Sequence, residues 1–169
     1  MVRHRVFISY HHANDELYKK EFIRLFGDIF ENKSVEPGEY DEDLSTNYIR
    51  RLIREEKISM STVIIVLVGA DTYKRKHVDW EIHAGISKAA GGPSGLAGII
   101  LPSYDGRQDH IPLRLLDNYR SGYASLYDWS IVQNRYAVQK MIEDTFNNKD
   151  TIANRIDISR PLMKINKSD

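Results

Sequence analysis

Short apolar runs and helical stripes alternate along this chain, and their order predicts its architecture. "RVFISY" (5–10) reads as a buried strand, followed by the polar loop "HHAND". Residues 15–32 place Tyr18, Phe22, Leu25, Phe26, Ile29 and Phe30 at helical spacing, with Asn14 or Asp15 as N-cap. An acidic loop with Pro37-Gly38 as its turn signal covers 32–45, with a short strand around Ser34–Glu36. Residues 45–58 carry Tyr48, Ile49, Leu52 and Ile53 among mixed charges, which predicts a surface helix capped by Ser45 or Thr46. "STVIIVLVGA" (61–70) is apolar on both faces, as a central parallel strand must be. A helix over 77–90 has the stripe Val78, Ile82, Ile86 and Ala89, and "GGPSG" ends it. "LAGIIL" (96–101) is another buried strand, a long loop fills 102–122, and a weak strand lies at 122–126. A last helix spans 130–146, begun by Asp128 or Ser130.

This alternation predicts an α/β fold: a flavodoxin-like three-layer sandwich around a parallel sheet of about five strands. Residues 1–149 form one domain, and 150–169 a polar tail, docked or disordered. Ligands of such sheets bind outside the carboxyl ends of the strands. Those ends fall at 9–15, 39–46, 69–77 and 101–105.

Charge removes some partners. With 24 basic and 24 acidic residues the net charge is zero, so neither nucleic acid nor an anionic membrane is expected to bind by bulk attraction. The chain has no cysteine, which excludes disulfides, thiolate metal sites and a cysteine nucleophile. No apolar run reaches the ~20 residues that span a bilayer, and "MVRHRVFISY" carries no signal-peptide stretch, so a cytoplasmic location is expected.

The candidate chemistry centres on "TYKRKHVDWEIHAGI" (73–87). At about 100° per residue, Glu81 falls at the edge of the buried stripe, and Asp79 on the opposite flank. Both also suit the first turn of a helix, where the dipole favours acids, and spacing alone prefers that plainer reading. "SYHHAND" lacks the glycine-rich turn of a dinucleotide-binding Rossmann site, and there is no Walker A motif. Asp15 has no acidic neighbour, which argues against a receiver-type phospho-acceptor. No serine sits in a nucleophile elbow, and no two histidines among 4, 11, 12, 77, 83 and 110 have i, i+4 metal spacing, so no metal is expected. Tyr40, Tyr48, Tyr73, Trp80 and Tyr104 can stack on a ring but more often pack. Lys74-Arg75-Lys76 can meet phosphates, though a solvated basic loop is the plainer reading.

"RVFISYHHAND" resembles the first conserved stretch of Toll/interleukin-1 receptor (TIR) domains. "VIIVLVGADTYKRKHVDWEI" more specifically resembles a TIR-like family of small bacterial proteins, as does "IPLRLLDNY…GYASLYDW". The resemblance covers about 4–129, and the family includes TIR effectors of Thoeris-type antiphage systems. It implies cleavage of NAD, as substrate and not cofactor, at the nicotinamide–ribose bond. It also implies a cyclic ADP-ribose-type signal, a partner effector that reads it, and a phage-derived trigger. The family's catalytic glutamate maps onto Glu81, which reverses the reading from spacing. Trp80 takes the neighbouring aromatic position, and His77 stands where tryptophan is expected. Ser9, Tyr10, Asp43 and Ser45 would line the pocket, with Asp71 and Thr72 beside it and Arg75 or Lys76 at the pyrophosphate. The loop after the second strand would lie within 37–46. A non-catalytic TIR interaction module and a nucleoside deoxyribosyltransferase-like enzyme are the competing expectations.

Overall fold

The computed structural model describes residues 2–35, 47–88 and 90–168. The expected Asp43, Ser45, Tyr40, the caps Ser45 and Thr46, and the loop 37–46 lie outside those residues.

Five parallel strands form one sheet: β1 (His4–Ser9), β2 (Phe30–Asn32), β3 (Val63–Val68), β4 (Gly95–Ile100) and β5 (Ser125–Asp128). Their order is β2-β1-β3-β4-β5, the flavodoxin-like order. Among the described residues, five α-helices connect and follow them: α1 (His12–Phe26), α2 (Asn47–Met60), α3 (Lys76–Ser87), α4 (Leu113–Arg120) and α5 (Arg135–Thr151).

The strands are apolar on both faces because both faces are covered. In β3, Val63, Ile65 and Leu67 join the core that contains Phe22 of α1 and Met141 of α5. Ile64, Val66 and Val68 join the opposite core, with Ile58 of α2, Val78 and Ile82 of α3, and Leu115 of α4. Close packing requires glycine where a helix meets a strand. A Cβ on Gly95 would lie 1.9 Å from the Thr145 carbonyl oxygen of α5. Gly95→Ala is therefore expected to push α5 off the sheet and cost about 1–3 kcal/mol, read as a lowered urea midpoint.

The structure corrects several sequence expectations. α1 starts earlier than predicted, capped by His11, whose ring accepts from the Asn14 amide. It also ends at Phe26, and Phe30 belongs to β2. The apolar run Ile29-Phe30 serves a strand beside β1 and does not continue the helix; Ser34 and Val35 lie beyond that strand. Residues 113–120, expected as loop, form α4. The last strand lies at Ser125–Asp128, slightly later than predicted.

Residues 157–167 form an extended strap over α3 and α4. Arg160 pairs with Asp117 through two hydrogen bonds of 2.7 and 2.9 Å. Asn118 holds Asp157 through both its backbone N–H and its carbonyl. Near the strap's end, the Lys167 amide donates to the Lys74 carbonyl. No helix among the described residues is long and apolar enough to cross a membrane.

Candidate active site

β1 and β3 are neighbours, while the connections from them leave in opposite directions along the sheet. A crevice opens at such a switch point. Ser9 ends β1 there, and α3 brings Glu81 over it.

Glu81 is 2% exposed. It sits in the second turn of α3, not the first, so the helix dipole does little for it. The Ser9 hydroxyl donates to its carboxylate at 3.4 Å. Burial drives its pKa up to about 8, against the opposing pull of the nearby Arg54 guanidinium and the Ser9 hydrogen bond. A carboxyl group held this way keeps its proton at neutral pH.

Two imidazoles stand beside it. His77, one turn earlier on α3, has Nε2 3.9 Å from Glu81 Oε1 and donates to the Tyr10 carbonyl at 3.0 Å. Its ring packs on His12, centroid to centroid 4.8 Å. Burial lowers His77 to about 3; His12 still reaches solvent, but partial desolvation by its neighbours and then the Arg54 charge lower it to about 4, so both rings are neutral at physiological pH. The ligating atoms of His12, His77 and Glu81 lie within 4.8 Å of one another, a donor set of transition-metal type. The Arg54 charge acts on all three groups, however, and opposes a cation at their centre. The cluster therefore suits a ligand that brings anionic groups for Arg54 better than a bare metal ion.

Glu81 also borders a cavity of about 510 Å³ between α2, α3 and the strap. Arg54 and Ile58 line it from α2, Trp80 and Glu81 from α3, and Leu162 and Lys164 from the strap. Its volume lies in the ordinary range for small-molecule sites. The Nε of Arg54 is buried without a hydrogen-bond partner among the described residues. An unpaired buried donor is costly, and a ligand acceptor would satisfy it.

The remaining expected residues are distributed unevenly. Tyr10 is buried, its hydroxyl bonded to Glu16 and its ring against His12. Trp80 lines the cavity, but its indole N–H donates to the Met163 carbonyl at 2.7 Å. Thr72 is consumed by the turn after β3, accepting from the Gly69 amide and donating to the Leu67 carbonyl. Asp71 pairs with Lys74 at 2.9 Å and accepts from Asn14. Arg75 lines a second, smaller cavity with Asp79 and Arg160, and not the one beside Glu81. Sequence reasoning missed Arg54 and did not single out His12, and it left open whether the tail docks. His77 showed itself only as a departure from the expected tryptophan, and Arg54 was one cation among several on a mixed-charge helix.

Asp15 lies near the same crevice, packed where Gly69 leaves room: a Cβ there would meet its Oδ2 at 2.5 Å. That oxygen has no hydrogen-bond partner among the described residues. Burial, then repulsion from Asp71, raises the Asp15 carboxyl to about 6. The folded state thus holds a proton that the unfolded chain releases, and stability falls as pH climbs from about 4 through 6. Asp15→Asn is expected to raise the melting temperature at pH 8 and to make little difference near pH 4. Thermal unfolding at both values checks this, and equal shifts would show that ionisation is not the cause.

The TIR domains of the activated Roq1 resistosome directly recognizing the pathogen effector XopQ are structurally similar, with 9% identity and a TM-score of 0.44. That similarity covers 88% of this chain and 84% of the other. No curated protein matches the chain. The family model described as Thoeris protein ThsB, TIR-like domain, matches residues 7–104, from within β1 through α3 to just beyond β4. With more than half of its length matched, and with Ser9, Glu81 and the crevice all inside the match, this chain belongs to the ThsB TIR-like domain family of Thoeris proteins.

Proposed function

We propose that the protein cleaves NAD at the nicotinamide–ribose bond. The observation that carries this reading is Glu81: a buried carboxyl at the sheet's switch point, with a hydroxyl on one side and a nucleotide-sized cavity on the other. Membership of the TIR-like family supports it.

The chemistry fits the surroundings. NAD carries a positive pyridinium ring, which would draw Glu81 into its ionised form on binding, its proton passing to solvent. The bond between ribose C1′ and the ring nitrogen then breaks. Its electron pair goes to nicotinamide, which leaves neutral, and the ribose gains oxocarbenium character. Ionised Glu81 stabilises that charge. His12 and His77 are neutral and add no opposing charge. Water attacking C1′ gives ADP-ribose and releases a proton. An internal nucleophile of the same molecule gives a cyclic isomer, and a signal of that kind, read by a partner effector after a phage-derived trigger, is the outcome we favour from the family.

The test is incubation of the purified protein with NAD, before and after addition of lysate from phage-infected cells, with products separated by chromatography and mass. Nicotinamide release by wild type and not by Glu81→Gln supports the reading, and the co-product mass and retention time separate hydrolase from cyclase. No release under either condition would turn the reading over to a non-catalytic interaction module. A nucleoside substrate and a trapped glycosyl adduct on Glu81 would instead favour a deoxyribosyltransferase.

A further inference from the structure

The strap lies outside the matched stretch 7–104, yet it is fastened to the residues next to Glu81. The Asp79 carboxylate accepts from the Met163 amide at 2.9 Å, and the Trp80 indole donates to the Met163 carbonyl at 2.7 Å. The two residues that precede Glu81 therefore grip one strap residue by both ends of its backbone. Arg114, buried and paired with Asp79 at 2.8 Å, donates to the Pro161 carbonyl, and Asn166 caps the Lys76 amide at the start of α3. Between these fixings, Leu162 and Lys164 enter the wall of the cavity beside Glu81. Leu162 remains 42% exposed, so its packing is not what holds the strap.

We infer that the strap is a substrate-binding wall: Lys164 from the strap and Arg54 from α2 hold the phosphates of the dinucleotide, while Leu162 covers its apolar part. This rests on the reading of Glu81 as the NAD-cleaving acid. Three features support it. The cavity is mostly apolar yet carries cationic residues from two separate elements. Arg54 presents a buried, unpartnered N–H among the described residues. The cavity's other acid, Glu55, is paired with Arg51, while the buried Glu81 lies on the helix to which the strap is bonded, so the distance from the phosphate site to the reacting carbon is held by hydrogen bonds within the protein.

The experiment separates binding from catalysis. Binding of ADP-ribose, which has no bond left for Glu81 to break, is measured by calorimetry on the full chain and on Lys164→Glu, Leu162→Ala and Glu81→Gln. Wild type and Glu81→Gln are expected to bind, with Lys164→Glu weaker by about tenfold or more and Leu162→Ala by a few-fold. Steady-state kinetics should show the same split, a raised KM for NAD with kcat little changed, and a smaller rise for nicotinamide mononucleotide, which lacks the adenylate half. Both side chains sit at the surface of the strap, so melting temperatures should stay close to wild type and exclude misfolding. Equal ADP-ribose affinity in wild type and Lys164→Glu, or no binding by wild type, overturns the inference. ADP-ribose binding without any NAD cleavage would leave the wall standing and remove only the catalytic reading.

Discussion

Glu81→Gln is expected to abolish nicotinamide release and, at the same time, to make the protein more resistant to heat. The two effects have one cause. The carboxyl is buried, with a single long hydrogen bond, from Ser9, among the described residues, and burial lifts its pKa to about 8. In the folded state it holds a proton that the unfolded chain gives up above about 4.5, so stability declines as pH rises from there through about 8. Glutamine has nearly the same shape and no proton to lose. At pH 8 to 9 its melting temperature is expected to exceed wild type by about 5 °C or more, and the gap should close near pH 4. Activity moves the other way. Loss of the group that balances the oxocarbenium charge is expected to reduce turnover by about a thousandfold or more. The wild-type kcat/KM should rise with pH through about 8, because only the ionised acid stabilises the cation. The kcat profile should turn at lower pH, since bound NAD brings its own positive charge. A flat kcat/KM profile from about pH 6 to 9, or a mutant no more stable than wild type at pH 9, would sink this account of Glu81.

Asp79→Ala is expected to be the most destabilising of the single substitutions considered. Asp79 is 5% exposed and Arg114 1% exposed, and they meet at 2.8 and 3.4 Å. Removing the acid leaves a guanidinium buried without its counter-charge, which costs about 3–5 kcal/mol. It also takes the acceptor from the Met163 amide, so the strap should loosen at its centre. The expected result is a lowered urea midpoint together with faster proteolysis within residues 157–168. Asp79→Asn keeps an acceptor for the amide and should retain part of the protection. Loss of stability without any change in strap cleavage would mean that the strap is held by its ends alone, through Asp117, Asn118 and Lys74.

The contrast between these two neighbouring acids shows how far local pattern reaches. Both stand in one short stretch, and helical spacing treats them alike as acids near a helix start. Asp79 is neutralised by Arg114, which comes from α4, an element hidden in what read as a loop. Its Leu115 and Leu116 signal was too short to separate from an apolar loop. Glu81 has no such paired cation among the described residues, and its Ser9 contact spans 72 positions. The confusion of Ile29 and Phe30 has a similar origin, because an apolar pair at the end of an amphipathic helix fits a short buried strand equally well.

The sequence by itself determined the sheet. Runs such as "VIIVLV" can only be satisfied with both faces buried, and the helical stripes around them state which side of each helix covers the sheet. It also placed Glu81 at the carboxyl ends of the strands, since chain order and right-handed crossovers leave little choice there. Which acid is paired and which is left buried without a counter-charge follows only from the folded chain. The tertiary structure alone brought Arg54, His12 and Lys164 toward one carboxyl group and turned the polar end of the chain into a wall of the cavity. Burial and charge pairing depend on groups that meet across long separations, and periodicity, which compares only near neighbours, does not carry that information.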